Sequence, residues 1–322
     1  MDFIQRLQKA GTKLLRDTEP LFAEAWRISR SIFGNDLIIY QPGMFVINGQ
    51  KGSYHTVSIT GASCDLNCDH CGGQLLKNMS PATSPEDLVS FGLKAAERGD
   101  KGILVSGGCD EFGGLPWSNF VKAIEEIKQK TDLIVTVHTG QVDFTTAMAL
   151  SRAGVDQALI DVIGDDSTAE EIFHLEKGTD TIIKSMDALF QASLEVVPHI
   201  LYGIHYGTER GEHKALEIIS KYPLGKYVIV VFTPMKNTKM VDIKPPDPKS
   251  VATFIAQARL EIPNAKSSLG CARPGGKYRK ELDLLAIRAG VNSLAVGYDY
   301  VSEEARKLGL NVTHKYTCCS ID

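Results

Sequence analysis

The chain has 322 residues, of which 43% are hydrophobic and 23% are charged, and its formal net charge is −4. This composition is ordinary for a globular protein, and the slightly acidic charge argues against a nucleic-acid partner. No apolar run approaches the roughly 20 residues of a membrane-spanning helix, so we expect no membrane partner either.

Residues 1–53 form the first predicted unit, an N-terminal helical cap. Two amphipathic patterns, at about 2–16 and 18–32, predict helices with a break near Pro20. The acidic residues in this region are not typical of a signal or transit peptide. Seven cysteines without a secretory signal indicate a reducing cytoplasm, where thiols bind metals rather than form disulfides.

From residue 54 onward, short β-branched runs alternate with helical patterns eight times, which predicts parallel strands joined by right-handed crossovers. The runs lie at 56–60, 102–106, 133–138, 157–162, 196–202, 227–232, 266–269 and 293–296. The expected fold is α/β, a (β/α)8 TIM-type barrel at 54–310 followed by a C-terminal tail at 311–322. Two alternatives are a doubly wound sheet and a partial barrel of six units with a C-terminal extension, because the last two runs are short.

Three cysteines follow the first run in the string SCDLNCDHCGG. Cys64, Cys68 and Cys71 have the spacing C-x3-C-x2-C, and their thiolates can hold three irons of a [4Fe–4S] cluster. Most protein clusters use four cysteines, so an iron without a protein ligand indicates chemistry at the metal. The alternatives are unrelated buried thiols or a zinc site to which Asp69 or His70 adds a ligand, although zinc sites usually pair two Cys-x2-Cys or Cys/His knuckles.

This spacing, with His70 directly before the last cysteine, resembles the radical S-adenosylmethionine (SAM) superfamily. The resemblance implies that the methionine amine and carboxylate of SAM chelate the open iron. It further implies that an electron from the reduced cluster cleaves the sulfonium bond and that the resulting 5′-deoxyadenosyl radical takes a hydrogen from the substrate. An electron donor such as ferredoxin or flavodoxin would then be required.

Two further motifs lie at the ends of predicted strands, where ligands bind in such barrels. Gly107, Gly108 and Asp110 in SGGCDE resemble the Gly-Gly-x-acid motif of the superfamily, whose backbone binds the methionine amine. An ordinary glycine-rich turn is the alternative. Asp161 ends the fourth run and can bind ribose hydroxyls or cap the next helix.

The fifth and sixth runs carry resemblances to the biotin synthase branch of the superfamily. Gly203 and Gly207 in LYGIHYG resemble its fifth-strand glycine motif, whose backbone contacts adenine. Pro234 in FTPMKNT resembles its F-x-P-x-x-x-T motif, which lies near adenine and substrate. The histidines of this region are interpreted as core or surface residues rather than metal ligands.

The remaining cysteines suggest a second metal centre. Cys271 follows the seventh run at the barrel mouth, and Cys318 and Cys319 lie in a tail that we expect to fold over that mouth. We predict that these three bind an auxiliary [4Fe–4S] cluster, with Cys109 as a further candidate ligand. The alternative is that Cys109 and Cys271 pack in the core. Arg273 is the candidate catalytic residue, binding a carboxylate or a cluster sulfide, or it forms a simple salt bridge.

The strings GASCDLNCDHCGG, SGGCDEFGG, LGCARPGGKYR and TCC together resemble biotin-synthase-related proteins that form one component of an archaeal-type, two-protein lipoyl synthase. The resemblance implies sulfur transfer from the auxiliary cluster to an octanoyl chain on a lipoyl-carrier domain, with a sister radical SAM protein as partner. One alternative is a cofactor maturase or rearrangement enzyme that acts on a small molecule without sulfur transfer. Another is a non-catalytic iron–sulfur or zinc-binding protein.

Overall fold

The computed structural model describes residues 19–47, 49–176 and 178–321. The predicted helix at 2–16 lies outside these residues, and the helix predicted at 18–32 is α1, Glu19–Phe33. Its buried side includes Phe22 and Ala25, which join the main hydrophobic core.

Ten α-helices lie in the described part of the chain. They are α1, α2 (Pro85–Glu97), α3 (Trp117–Lys130), α4 (Phe144–Arg152), α5 (Asp166–Phe173), α6 (Gly178–Gln191), α7 (Glu212–Ser220), α8 (Pro248–Glu261), α9 (Gly276–Arg288) and α10 (Asp299–Lys307). Several begin at a residue whose side chain accepts a hydrogen bond from the backbone N–H three positions later: Ser84, Asp143, Asp165 and Asp247. None of these helices has the length and apolar character to cross a membrane.

The strands in chain order are β1 (Asp36–Tyr40), β2 (Val46–Ile47), β3 (Gln50–Lys51), β4 (Tyr54–Ser58), β5 (Ser80–Pro81), β6 (Gly102–Ser106), β7 (Ile134–His138), β8 (Gln157–Val162), β9 (Val196–Tyr202), β10 (Lys226–Val231), β11 (Lys266–Leu269), β12 (Ser293–Ala295) and β13 (Asn311–Lys315). Eleven of them form one sheet in the order β13-β1-β12-β11-β10-β9-β8-β7-β6-β4-β5. Every pairing in this sheet is parallel, whereas β2 and β3 form a separate antiparallel pair.

The sheet curls into a TIM-type partial barrel, which confirms the predicted fold class. The eight predicted runs are β4 and β6 to β12, each paired in parallel with the next. Three further strands extend the sheet. The short β5 pairs with β4 at one edge, and at the other edge β1 comes from the predicted cap and β13 from the predicted tail. Backbone hydrogen bonds from Gly43 N to Tyr54 O (2.9 Å) and from Ser53 N to Tyr316 O (2.8 Å) link this extension to the start of β4.

The side chains of the sheet form two packed clusters because alternate residues of a strand point to opposite faces. The larger cluster lies between strands and helices and includes Val57, Val105 and Val135. The smaller one consists of Tyr40, Leu159, Val197, Val228, Ala295, Val296 and Cys319. Strands β1 and β8 are not neighbours in the sheet, so a cluster that contains residues of both fills the barrel interior.

Candidate active site

The loop after β4 holds the first three cysteines at the C-terminal end of the barrel. Cys68 is buried, while Cys64 and Cys71 are half-buried. The backbone N–H groups of Cys71 and Gly72 both donate to the Cys68 carbonyl, at 3.1 and 2.8 Å. The loop also joins the next βα turn, since the N–H of Asp65 donates to the Cys109 carbonyl at 2.8 Å. Backbone hydrogen bonds therefore set the fold of this loop.

The donor atoms of this loop suit a metal centre. The ligand atoms of Cys68, His70 and Cys71 lie within 4.8 Å of one another. A hydrogen bond from Cys68 lowers the pKa of Cys71, and the nearby His70 and the N–H of Gly73 lower it further. The same interaction with Cys71 and burial raise the pKa of Cys68. A stabilised thiolate is the form that binds metals, so the residues present fit an iron–sulfur cluster.

Gly107 and Gly108 bring the end of β6 against this loop. A Cβ on Gly108 would lie 1.9 Å from the Ser63 carbonyl oxygen and 2.5 Å from the Cys64 Cβ, and a Cβ on Gly107 would lie 2.9 Å from the Thr60 Oγ1. The Gly108 N–H donates to that hydroxyl at 2.6 Å. Close backbone approach thus requires glycine at position 108 and favours it at 107.

Asp110 turns toward its own loop. One carboxylate oxygen accepts hydrogen bonds from the N–H groups of Phe112 and Gly114, both at 2.9 Å. The residue also lines a cleft of about 630 Å³ that contains the exposed ring of Phe112 and that of Phe144. The side chain of Asp110 therefore shapes the βα turn that carries the two glycines.

Asp161 faces a histidine that the sequence analysis did not select. His138 Nε2 lies 3.4 Å from Asp161 Oδ1, and the ring of His138 is 5.5 Å from that of His199. Burial opposes ionisation of both members of the pair, but their mutual attraction outweighs it, raising the pKa of His138 and lowering that of Asp161. Burial and His138 lower the pKa of His199 to about 4. The sequence could have pointed to His138 as a site residue, because it is a polar residue at the end of an apolar run, as Asp161 is.

Gly203 and Gly207 lie beneath the loop that follows β10. Both have positive φ, 73° and 76°. A Cβ on Gly203 would lie 2.6 Å from Pro246 Cγ, and one on Gly207 would lie 2.0 Å from the Lys244 carbonyl oxygen. A side chain at either position would collide with this loop, so the fold itself explains both glycines. Pro234 belongs to the same loop, residues 233–247, which we call the crossing loop.

The other end of this loop reaches the cysteine loop. Lys239 Nζ lies 2.7 Å from Asp69 Oδ1, and the same oxygen is 3.0 Å from His174 Nε2. His174 adopts positive φ of 59° after α5 and its Nδ1 is 2.6 Å from the Leu66 carbonyl. Residues 233–247 therefore cross the barrel mouth from the cysteine loop to the end of β9.

Comparisons with known proteins agree with this geometry, although no family model matches the chain. Biotin synthase from Clostridioides difficile (strain 630) is 25% identical over 310 residues, which are 91% of this chain and 92% of that protein. Together with the cysteine loop and the glycine turn, this relative supports the radical SAM superfamily, in the branch related to biotin synthase.

Solved structures share the fold of this radical SAM protein. HydG, a maturase of the [FeFe]-hydrogenase, has a TM-score of 0.66 at 17% identity, over 97% of this chain and 75% of HydG. Methylornithine synthase (PylB) has a TM-score of 0.63 at 13% identity, over 97% of this chain and 94% of PylB. The relatives imply a [4Fe–4S] cluster and SAM, for which Cys64, Cys68 and Cys71 are the fitting ligands.

The tail of the radical SAM chain does not fold over the mouth as expected. Lys226, the first residue of β10, donates from Nζ to the carbonyls of Cys319 (3.3 Å) and Ile321 (3.0 Å). Gln157, the first residue of β8, donates to the Ser320 carbonyl at 3.3 Å. The tail therefore closes the opposite, N-terminal end of the barrel, because it contacts the residues with which the strands begin.

Three of the other cysteines lie at the inner cluster of the barrel. Cys319 belongs to this cluster, and the half-buried Cys271 and Cys318 pack against it. Cys319 and the hydroxyl of Ser320, at 3.3 Å, donate to Cys318 and lower its pKa. Burial and the charge of Cys318 raise the pKa of Cys271, so these thiols interact electrostatically.

Cys109 lies with the mouth loop instead. Burial raises the pKa of its thiol, with Cys64 as the next cause, and its carbonyl accepts from Asp65. Cys109 therefore lies apart from the tail cysteines, with which the sequence analysis grouped it as a candidate ligand of the auxiliary cluster.

Arg273 forms the salt bridge that we considered as its alternative role. Its Nε lies 2.8 Å from Asp283 Oδ1, and both side chains are fully buried. Arg279 packs against it and donates to the Arg273 carbonyl at 2.7 Å. One terminal nitrogen of each guanidinium, Nη2 of Arg273 and Nη1 of Arg279, is buried and has no hydrogen-bond partner in the part of the chain that the structure describes.

Proposed function

We propose that this radical SAM enzyme inserts sulfur into an octanoyl chain on a lipoyl-carrier domain, as one component of a two-protein lipoyl synthase. The observation that carries the proposal is the second cysteine set, Cys271, Cys318 and Cys319, which meets on the inner cluster of the barrel. A radical SAM enzyme without sulfur transfer has no evident need for these thiols in the barrel interior.

The donor chemistry of this second set suits an iron–sulfur cluster. Its three side chains are thiols, and a [4Fe–4S] cluster binds each thiolate through a different iron. Cys319 belongs to the inner cluster of the barrel and Cys271 and Cys318 pack against it, which supports a shared bound group.

Unpartnered polar atoms in the barrel support the same interpretation. Among residues 19–47, 49–176 and 178–321, no hydrogen-bond partner exists for the buried atoms Gln157 Oε1, Ser268 Oγ, Ser293 Oγ and Thr317 Oγ1. Ser268 and Ser293 are register partners on β11 and β12, so they share a face of the sheet. Buried polar groups normally have partners, and a polar group bound in the interior would supply them.

The chemistry is divided between bound groups and the chain. When bound, the mouth cluster with SAM supplies a 5′-deoxyadenosyl radical, and the auxiliary cluster supplies sulfur. The barrel wall excludes water and other hydrogen donors from the substrate chain. The crossing loop at 233–247 covers the mouth, and the tail closes the other end.

A second candidate is an enzyme that acts on a small carboxylate-bearing molecule without sulfur transfer. The observation that favours it is the pair of unpartnered guanidinium nitrogens on Arg273 and Arg279, beside Cys271. Guanidinium groups bind carboxylates through paired hydrogen bonds. HydG and methylornithine synthase, with which the chain shares its fold, indicate that maturases and small-molecule enzymes use the same architecture.

The deciding experiment measures iron and sulfide content and Mössbauer spectra after anaerobic reconstitution. It compares the wild type with two triple variants, Cys64→Ala/Cys68→Ala/Cys71→Ala and Cys271→Ala/Cys318→Ala/Cys319→Ala. Each triple variant is expected to retain about half of the wild-type iron, as one [4Fe–4S] cluster. A mouth variant without any cluster would overturn the sulfur-insertion proposal.

Turnover separates the two candidates from each other. The protein is reduced by ferredoxin or flavodoxin and assayed with SAM, an octanoylated carrier domain and the sister radical SAM protein. The tail variant is expected to form 5′-deoxyadenosine without adding sulfur to the carrier, and the mouth variant is expected to form neither. Sulfur-free products from the wild type would favour the second candidate.

A further inference from the structure

One buried lysine joins the tail to the barrel wall. Lys226 is only 3% exposed, and its ammonium donates to the carbonyls of Cys319 and Ile321 at 3.3 and 3.0 Å. It also lies 3.3 Å from the hydroxyl of Tyr40 and 5.0 Å from the centre of that ring. A single side chain thus connects β10, β1 and two alternate residues of the tail.

A second side chain holds the residue between these two. Gln157 Nε2 donates to the Ser320 carbonyl at 3.3 Å and to Glu195 Oε1 at 2.7 Å. Lys226 and Gln157 are the first residues of β10 and β8, which flank β9 in the sheet. The carbonyls of three consecutive tail residues are therefore fixed by side chains at the same end of the barrel.

These contacts determine where the tail thiols lie. With the carbonyl of Cys319 directed at Lys226, its side chain packs among Leu159, Val197 and Val228, and it is 3% exposed. Burying an ammonium group is costly unless polar partners surround it. A methionine of similar length would fill the same space without that cost. A lysine at this position is therefore explained by its hydrogen bonds to the tail carbonyls and not by packing.

We propose that Lys226 is a positioning residue, which holds Cys318 and Cys319 inside the barrel in the arrangement that the auxiliary cluster needs. The role of the two thiols rests on the proposed function. The attachment of the tail by Lys226 is a property of the metal-free chain and can be measured without any cluster.

The test is the alkylation of each cysteine by N-ethylmaleimide in metal-free, reduced protein, followed by peptide mass spectrometry. Lys226→Met is expected to raise the rates at Cys318 and Cys319 at least about tenfold, because a released tail opens far more often than a buried one. Lys226→Arg, which keeps the charge and the donors, is expected to restore slow rates. Lys307→Met, on the exposed face of α10, is the matched control and should change nothing.

Cys109, which lies with the mouth loop, reports on the rest of the fold. An unchanged rate at this thiol, with faster rates in the tail, supports the attachment by Lys226. Equal tail rates in Lys226→Met and the wild type overturn it. If Lys226→Met accelerates all the cysteines, Lys226→Gln replaces it, and a rise confined to Cys318 and Cys319 supports the proposal, whereas no selective rise overturns it.

Mössbauer spectra of the reconstituted variants separate this proposal from the proposed function. The expected result is two clusters in the wild type and in Lys226→Arg, and one in Lys226→Met. A wild type with one cluster and a tail that still loosens in Lys226→Met would refute the auxiliary cluster but leave the attachment intact. Two clusters and unchanged alkylation in Lys226→Met would refute the role of Lys226 alone.

Discussion

The two cysteine sets of this radical SAM enzyme are built in opposite ways. Cys64, Cys68 and Cys71 lie on one loop whose own backbone hydrogen bonds set their arrangement. Cys271, Cys318 and Cys319 come from distant parts of the sequence and meet only because the barrel and the tail bring them together. A site on one loop can be recognised by its spacing, whereas a site assembled by topology depends on contacts that no local pattern encodes.

The surroundings of the two sets differ as well. Each set has one buried and two half-buried thiols, but the mouth set lies at the end of the barrel where ligands bind. The interior set lies with apolar and aromatic side chains that include Tyr40, Val197 and Val228. We therefore expect changes near the mouth to affect SAM chemistry first, and changes in the interior to affect stability and the second cluster first.

The largest effect is expected from Gly108→Ala. The added methyl would lie 1.9 Å from the Ser63 carbonyl oxygen and 2.5 Å from the Cys64 Cβ, so the cysteine loop must move. We expect formation of 5′-deoxyadenosine to fall at least about 100-fold and unfolding stability to fall by about 1–3 kcal/mol. Gly275→Ala, whose added Cβ has no heavy atom within 4 Å, is the control. Normal cleavage of SAM by Gly108→Ala would contradict the close approach.

Serine substitutions compare the two sets directly in metal-free protein. Cys319 is 3% exposed in an apolar cluster, so Cys319→Ser buries a hydroxyl and should lower the free energy of unfolding by about 1–3 kcal/mol. Cys64 is half-buried, and Cys64→Ser should change stability by less than about 0.5 kcal/mol. Urea unfolding of both variants measures the difference. Equal effects would mean that the tail does not fill the barrel.

Asp69→Asn tests how the crossing loop is held at the mouth. Asp69 is 8% exposed and pairs with His174 and with Lys239, whose side chain is 67% exposed. An ion pair with so exposed a partner contributes little, so we expect a loss of about 1 kcal/mol. The sharper result is faster cleavage by trypsin at Lys236 and Lys239, because the loop loses its attachment to the cysteine loop. Unchanged cleavage would show that other contacts hold it.

Much of the barrel was predictable from the sequence, because buried parallel strands are apolar runs with clear ends. The runs at 102–106, 157–162, 196–202 and 266–269 coincide with β6, β8, β9 and β11. The insertion of β1 between β12 and β13 was not predictable, because its pairing partners are far away in the sequence.

The mouth site was partly predictable and the interior site much less so. The cysteine spacing and the glycine turn are local signals, and the structure brings Gly108 into contact with the cysteine loop. The prediction that the tail folds over the barrel mouth was wrong, because a short polar segment carries no signal for the end of the barrel that it will enter. In the sequence Lys226 is a single charge at the start of an apolar run, and only its contacts with the tail reveal its position in the interior.

The smallest expected effect concerns the pair that lies between the two sets. Because the pKa of His138 is raised above 6.5 by Asp161 despite burial, its contribution to stability is present below pH 6.5 and is lost as pH rises through the raised value. As the pH rises from 6 to 8, the free energy of unfolding should fall further in the metal-free wild type than in metal-free His138→Gln. We expect the difference between the two falls to be about 1 kcal/mol or less.

Urea unfolding at both pH values measures this difference, with His213→Gln as the control because the side chain of His213 is 55% exposed. The control should retain the pH dependence of the wild type. If His138→Gln also retains it, Asp161 is not engaged by His138 in solution. Its carboxylate would then be available for the ribose of SAM, as its position at the end of β8 suggests.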